Sequence, residues 1–142
     1  MGLEPIKTQD YQALLDLKRD DIRSRFDLLG GFSKEVELEV FSSKIEHYRM
    51  RAEFRIWHED DDLFYAMFPP GNKHQPIRIE SFPQASEQIN NLMMPLLQEI
   101  KVHPELRFKL FQIDFLSSQR GEVLVSLLYH KQLGEQWLSL AD

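Results

Sequence analysis

The spacing of apolar residues changes from a helical period to a strand period and back along this chain, and this change restricts the fold more than any other feature. Apolar residues recur at three- and four-residue steps from Tyr11 to Leu29, as in an amphipathic helix. Thr8 and Asp10 are candidate N-caps for this helix. Gly30-Gly31 is expected to end it, because glycine accepts the left-handed conformation at a helix C-terminus.

Between positions 35 and 80 the period is two, which is typical of strands with one solvated face. The alternation predicts four strands, at Val36–Val40, Arg49–Trp57, Leu63–Phe68 and Ile77–Ile79. The acidic run Glu59–Asp62 is expected to form a hairpin turn, and Pro69–Asn72 a second loop.

Helical spacing returns after Pro83, from Ile89 to Ile100, with Ser81 or Ser86 as the candidate cap and a kink or break at Pro95. Two further strands, Phe108–Leu116 and Glu122–His130, then precede the start of a last helix at Gln132–Asp142. The predicted order is α-β-β-β-β-α-β-β-α. Because the turns between strands are short, we expect an α+β domain in which helices pack on one face of an antiparallel sheet.

The composition excludes several classes of function. At 142 residues the chain is expected to form one domain. It contains no cysteine, which excludes a disulfide framework, a thiolate metal site and a cysteine nucleophile. The five histidines lack metal-binding spacing, and no glycine-rich phosphate loop is present. No apolar run is long enough to cross a bilayer, so we expect neither a metal nor a membrane partner.

A stripe of basic residues stands out from the negative net charge of −6, which by itself argues weakly against nucleic acid as a partner. In a strand, successive side chains point to opposite faces. The strand at 49–57 therefore directs one set to the core, namely Met50, Ala52, Phe54 and Ile56. The opposite face receives Arg49, Arg51, Glu53, Arg55 and Trp57.

Two interpretations of this stripe remain open on the residues alone. Arginines beside an aromatic ring suit phosphate contacts and base stacking on RNA. Alternatively, the arginines form cross-strand ion pairs with Glu35, Glu37 and Glu39. Phe111 lies on a strand with two apolar faces and is expected in the core. The pair His130-Lys131 ends a strand, where it either contacts a phosphate or is simply exposed.

Four ordered blocks resemble the bacterial tRNA (uracil-5-)-methyltransferases, which make ribothymidine in the tRNA T-loop. These blocks are HYRMRAEFRIWH (His47–His58), RIESFP (Arg78–Pro83), KLFQIDF (Lys109–Phe115) and SLLYHKQL (Ser126–Leu133). The resemblance implies a parent enzyme that transfers a methyl group from S-adenosylmethionine to uracil C5 in the cytoplasm. The catalytic cysteine, the catalytic glutamate and the cofactor domain of that family belong to its C-terminal half. We therefore expect residues 1–142 to be an N-terminal RNA-binding domain, truncated from a longer enzyme, inactive alone and unable to bind S-adenosylmethionine.

The same resemblance implies a set of RNA contacts to the tRNA T-arm and to other T-loop-like RNAs. Arg51, Arg55, Phe111 and His130 match family residues near the RNA, which moves Phe111 from the expected core to an exposed stacking surface. Arg49 and Lys131 join them for their charge and position. The sequence departs from the family at the Pro69–Gly71 loop and the Ser117–Gly121 turn, and neither is expected to touch these contacts. The alternative function is a stand-alone α+β protein-interaction module with an arginine-rich docking face.

Overall fold

The computed structural model describes residues 10–30 and 36–141. The described chain falls into two compact units that divide between Ile45 and Glu46. None of the described helices is long and apolar enough to cross a membrane.

The first unit contains one long helix, α1 (Tyr11–Leu28). Its N-cap residue is Asp10, one of the two candidates, although the Asp10 side chain makes no capping hydrogen bond. The C-terminus lies one residue before Leu29, and Gly30 follows with φ of +64°. Thr8 and Gly31 lie outside the described residues.

The predicted strand Val36–Val40 is wrong. These residues form no regular strand, and the side chains of Val36 and Val40 are 62% and 44% exposed. Alternation of apolar and charged residues suits a strand, but a strand also needs a neighbour that satisfies its backbone N–H and C=O groups. Among the described residues this segment has no such neighbour.

The second unit is built on a five-stranded antiparallel sheet. Its strands are β1 (Arg51–Glu59), β2 (Asp62–Met67), β3 (Ile77–Ile79), β4 (Leu110–Ser117) and β5 (Val123–Tyr129). Their spatial order is β3-β2-β1-β4-β5. The acidic hairpin turn predicted at Glu59–Asp62 joins β1 to β2, and Asp60 there has φ of +51°.

Three helices complete this unit: α2 (Glu87–Val102), the one-turn α3 (Pro104–Arg107) and α4 (Glu135–Ala141). Ser86 caps α2, since its hydroxyl accepts a hydrogen bond from the Ile89 N–H. Pro95 lies inside α2 without dividing it. The buried face of α2 packs on the sheet through Ile89, Met93, Leu97 and Ile100.

The fold class is confirmed as α+β with an antiparallel sheet and helical packing on one face. Two details of the prediction were wrong. Met50 precedes β1 and is 38% exposed, so it does not belong to the core. Phe108 precedes β4 and is 58% exposed, because the chain enters that strand only at Leu110.

Candidate nucleic-acid interface

The sheet has a face covered by α2 and an opposite face, called here the outer face. Strand β1 alternates as predicted, with Ala52, Phe54 and Ile56 buried. Arg51 and Arg55 are exposed on the outer face together with Glu53. The arginine stripe is therefore a surface feature of the sheet.

A β-bulge places Phe111 on the outer face. Leu110 pairs with Tyr129 and Gln112 pairs with Leu128, so Phe111 is the extra residue between them. Leu110 and Ile113 are buried, whereas Phe111 is half-buried and contacts Arg55 of β1. Alternation alone would have turned Phe111 inward with Ile113. The surface position that the resemblance implied is the one observed.

Hydrogen bonds from two histidines hold the backbone at this bulge. The His58 ring nitrogen Nε2 lies 2.7 Å from the Leu110 carbonyl oxygen, and the His130 backbone N–H donates to the Lys109 carbonyl at 3.0 Å. Lys109 itself has φ of +58°, a left-handed conformation that is uncommon for a residue with a side chain. The bulge is thus held by contacts from outside β4.

Arg55, Phe111 and His130 form one cluster. The guanidinium carbon of Arg55 lies 3.9 Å from the centre of the Phe111 ring, a cation–π distance. The His130 ring centroid lies 4.2 Å from that of Phe111. These three side chains come from β1, β4 and the end of β5, so the sheet topology brings together residues far apart in the sequence.

The cluster forms part of a cleft of about 550 Å³. Trp57 and Phe68 also line this cleft, and their rings meet edge to face with centroids 5.8 Å apart. Pro69, Gly71 and Lys73 contribute the loop after β2. The expectation that the Pro69–Gly71 loop stays away from the predicted contact residues was therefore wrong, because alternation within strands carries no information on where a loop folds back.

The other predicted contacts lie elsewhere. Arg51 forms an ion pair with Glu53 on its own strand, about 13 Å along β1 from Arg55. Arg49 is exposed, its backbone is bonded to Gln84 and Ser86, and its guanidinium lies 6.0 Å from the Tyr48 ring centre. The segment 36–40 does not pair with the strand that carries Arg51 and Arg55. Within the described residues, that strand, β1, pairs with β2 and β4.

This pairing removes the cross-strand arrangement that would have placed Glu37 and Glu39 opposite the arginines. Glu35 lies outside the described residues. Lys131 is engaged by α3: its ammonium nitrogen lies 2.8 Å from a Glu105 carboxylate oxygen and 2.7 Å from the Glu105 carbonyl oxygen. Only 11% of the Lys131 side chain is exposed.

A second arginine stacks on an aromatic ring at the other edge of the outer face. The guanidinium carbon of Arg78 lies 3.9 Å from the centre of the Phe64 ring. Arg78 also pairs with Asp62 at 2.8 Å, and Lys101 pairs with the same carboxylate at 2.7 Å. Hydrogen bonds from Lys101 and Arg78 hold the pKa of Asp62 well below its ordinary value.

Sequence reasoning missed Phe68 and Lys73 and left Trp57 out of the selected contacts. One signal was available: the predicted strand Leu63–Phe68 has apolar residues on both faces, which indicates a second apolar surface besides the core. Among the described residues no group of three or more histidine, aspartate and glutamate side chains could hold a metal ion.

The fold and the cleft define an α+β domain with a cationic, aromatic surface on one face of its sheet. The sequence profile of the tRNA (uracil-5-)-methyltransferase family matches residues 10–142, and the chain belongs to this family. It is 50% identical, over 97% of its length, to a tRNA/tmRNA (uracil-C(5))-methyltransferase of Aeromonas hydrophila, and it covers 36% of that protein. A protein of the same name in Vibrio atlanticus is 58% identical over 94% of this chain, which covers 35% of that relative. The chain thus spans about a third of the length of these relatives.

Proposed function

We propose that this chain is the RNA-recognition part of a tRNA (uracil-5-)-methyltransferase and that its outer face grips the T-arm of tRNA. The full-length enzyme would transfer a methyl group from S-adenosylmethionine to C5 of the T-loop uridine in the cytoplasm. The names of the relatives include tmRNA, which supports recognition of an RNA other than tRNA.

S-adenosylmethionine does not fit the described residues. Their sheet is antiparallel and lacks a strand that leads through a glycine-rich turn into a helix, the unit that commonly binds nucleotide-like cofactors. The chain also lacks a cysteine that could add to uracil C6. We therefore assign the cofactor and the chemical step to the rest of the full-length enzyme and expect no methyl transfer by this chain alone.

The observation that carries the proposal is the cluster of Arg55, Phe111 and His130 in the outer-face cleft. Proteins read RNA loops by stacking unpaired bases on aromatic rings and arginine planes and by placing cations at phosphates. Arg55 offers both a plane and a charge, and its position on Phe111 fixes the guanidinium before RNA arrives. The aromatic ring of Phe111, the guanidinium group of Arg55 and the imidazole ring of His130 thus lie together in one cleft.

The remaining predicted contacts extend this surface to different degrees. Arg51 lies on β1 with Arg55, and Arg49 lies just before this strand. Both are exposed and suit contacts to the phosphates that flank the loop. Lys131 is the weakest of the set, because an RNA phosphate would have to compete with Glu105 for its ammonium group.

Binding of a fluorescently labelled T-arm stem-loop, followed by anisotropy at low and moderate salt, tests the proposal. We expect Phe111→Ala to lose one stacking contact, about 1–3 kcal/mol, which raises Kd roughly 5- to 150-fold. Arg55→Ala should weaken binding and reduce the magnitude of the salt slope by about 0.7–1, the effect of one phosphate contact.

Matched controls are available on other surfaces. Phe108 is 58% exposed and outside the cleft, so Phe108→Ala controls for the loss of an exposed ring. Arg120 lies exposed in the turn between β4 and β5 and controls for Arg55. The proposal fails if the chain shows no binding at low salt, or if the control variants weaken binding as much as the cleft variants. Salt-sensitive capture of an acidic protein instead of RNA would favour the protein-interaction alternative.

A further inference from the structure

The cleft has a second wall that none of the six predicted contact residues forms. Trp57 projects from β1 on the outer face, two residues beyond Arg55, and is half-buried. Phe68 supports its ring from one side with centroids 5.8 Å apart at 62°. The loop after β2 continues this wall through Pro69 and Gly71 to Lys73, whose side chain is exposed.

The first wall of the cleft is formed by Arg55, Phe111 and His130, whose side chains contact one another. The Phe111 ring lies under the Arg55 guanidinium at 3.9 Å and beside the His130 ring at 4.2 Å. The Arg55 guanidinium therefore covers one face of the Phe111 ring. The indole of Trp57 lines the same cleft and contacts one other aromatic ring, that of Phe68, so the cleft offers a second aromatic surface to a base.

We propose that Trp57 is a base-stacking residue and that Lys73 contacts a phosphate of the nucleotide stacked there. This inference rests on the proposed function, since it places an unpaired base of the RNA loop between Arg55 and Trp57. A planar base stacks well on an indole whatever its identity, and a lysine at the rim neutralises the adjacent phosphate. The Pro69-Pro70-Gly71 segment leads to Lys73, so this part of the contact depends on the path of the loop after β2.

The two tryptophans of the chain allow a direct measurement. Trp137 lies in α4 against Tyr129, outside the cleft. Trp137→Phe keeps an aromatic ring at this position and leaves Trp57 as the single fluorophore. Trp57→Phe is the matched control, in which Trp137 alone emits.

Each single-tryptophan variant is titrated with the unlabelled T-arm stem-loop, and binding of a labelled copy is measured separately by anisotropy. We expect emission from the Trp137→Phe variant to be quenched along the binding curve, because a base stacked on the indole quenches its fluorescence. Emission from the Trp57→Phe variant should stay constant, and its Kd should rise. Trp57→Ala should raise Kd about 5- to 150-fold, the effect of one lost stack.

The outcomes separate this inference from the function on which it rests. RNA binding with unchanged Trp57 emission would overturn the stacking role and leave the proposed function intact. No RNA binding by any variant or by the unmodified chain would overturn both. For Lys73→Ala we expect weaker binding and a salt slope smaller in magnitude by about 0.7–1, with binding by the Arg120→Ala control unchanged. Equal effects of the Lys73 and Arg120 substitutions would overturn the phosphate contact.

Discussion

Removal of the Ser86 hydroxyl is expected to destabilise the sheet unit by about 2–3 kcal/mol, a large effect for one oxygen atom. Ser86 and Ser117 are 3% and 5% exposed, and their hydroxyl oxygens lie 2.8 Å apart. Ser86 caps α2, while Ser117 ends β4 and contacts the Met50 carbonyl at the entry to β1. The pair therefore joins a helix and two strands at one buried point.

The Ser86 hydroxyl takes part in two buried hydrogen bonds. Its oxygen accepts from the Ile89 N–H at 3.3 Å, and a second hydrogen bond joins it to the Ser117 hydroxyl at 2.8 Å. Ser86→Ala thus removes the helix cap, about 1 kcal/mol, and a second buried bond worth about 1–2 kcal/mol when its partner is left unsatisfied.

Ser117→Ala should cost less, about 1–2 kcal/mol, because the Met50 carbonyl keeps its hydrogen bond from the Ser117 backbone N–H at 2.8 Å. Each single substitution removes the hydrogen bond between the two hydroxyl groups, so the second substitution has no such bond left to remove. We therefore expect the double variant to be less destabilised than the sum of the single variants by about 1 kcal/mol.

Urea unfolding followed by tryptophan emission measures these values, since Trp57 and Trp137 both lie in the sheet unit. With an m-value of about 2 kcal/mol/M, a loss of 2 kcal/mol moves the midpoint by roughly 1 M. Ser126 is exposed on β5, and Ser126→Ala should change stability by less than about 0.5 kcal/mol. Strict additivity of Ser86→Ala and Ser117→Ala would refute a stabilising hydrogen bond between the two hydroxyl groups.

Two further predictions concern pH. Hydrogen bonds from Lys101 and Arg78 lower the pKa of Asp62 from its ordinary 3.8. The ionised Asp62 carboxylate therefore stabilises the fold above pH 3.8, and this stabilisation is lost as the pH falls below 3.8. Between about pH 5 and 2, the unfolding free energy of the Asp62→Asn variant should fall less steeply than that of the unmodified protein. The difference should be small, because the Asp62 side chain is 42% exposed. Identical pH profiles of the two proteins in urea titrations would contradict this prediction. The buried Tyr65 hydroxyl donates to the Met93 carbonyl at 2.9 Å, and Tyr65→Phe should cost about 1 kcal/mol at pH 7. Burial raises the pKa of Tyr65 above its ordinary 10.0, so the unmodified protein loses stability as the pH rises above about 10. The difference in unfolding free energy between the unmodified protein and Tyr65→Phe should therefore narrow towards about pH 11. A difference that widens in alkaline urea titrations would contradict a raised pKa for Tyr65.

The fold was largely predictable because period-two and helical spacing are local signals. Strand β1 and helix α2 bury the residues that their periods select, such as Phe54 and Leu97. The segment Val36–Val40 shows the limit of this reasoning. Its alternation matches that of β1, but pairing with a neighbour depends on the rest of the chain and leaves no trace in the segment itself.

The candidate site was predictable only in part. Arg55 could be placed on the outer face from alternation, because β1 is regular throughout. The approach of the Pro69–Gly71 loop and Lys73 to Arg55 could not be predicted, since it depends on the path of a loop between two strands. The hydrogen bond between the His58 ring, on β1, and the Leu110 carbonyl across the sheet could not be predicted either, because it depends on which strand pairs with β1.

Phe111 shows why local rules fail at this site in particular. The regular pattern of β4 buries Ile113 and Phe115, and two residues earlier it would also bury Phe111. The bulge inserts one residue, keeps Leu110 in the core and turns Phe111 outward beneath Arg55. A cost accompanies this arrangement, because Lys109 takes a left-handed conformation and the bulge needs bonds from His58 and His130. A fold selected for stability alone would bury this ring with its neighbours, so the irregularity itself supports a binding role for the surface that it creates.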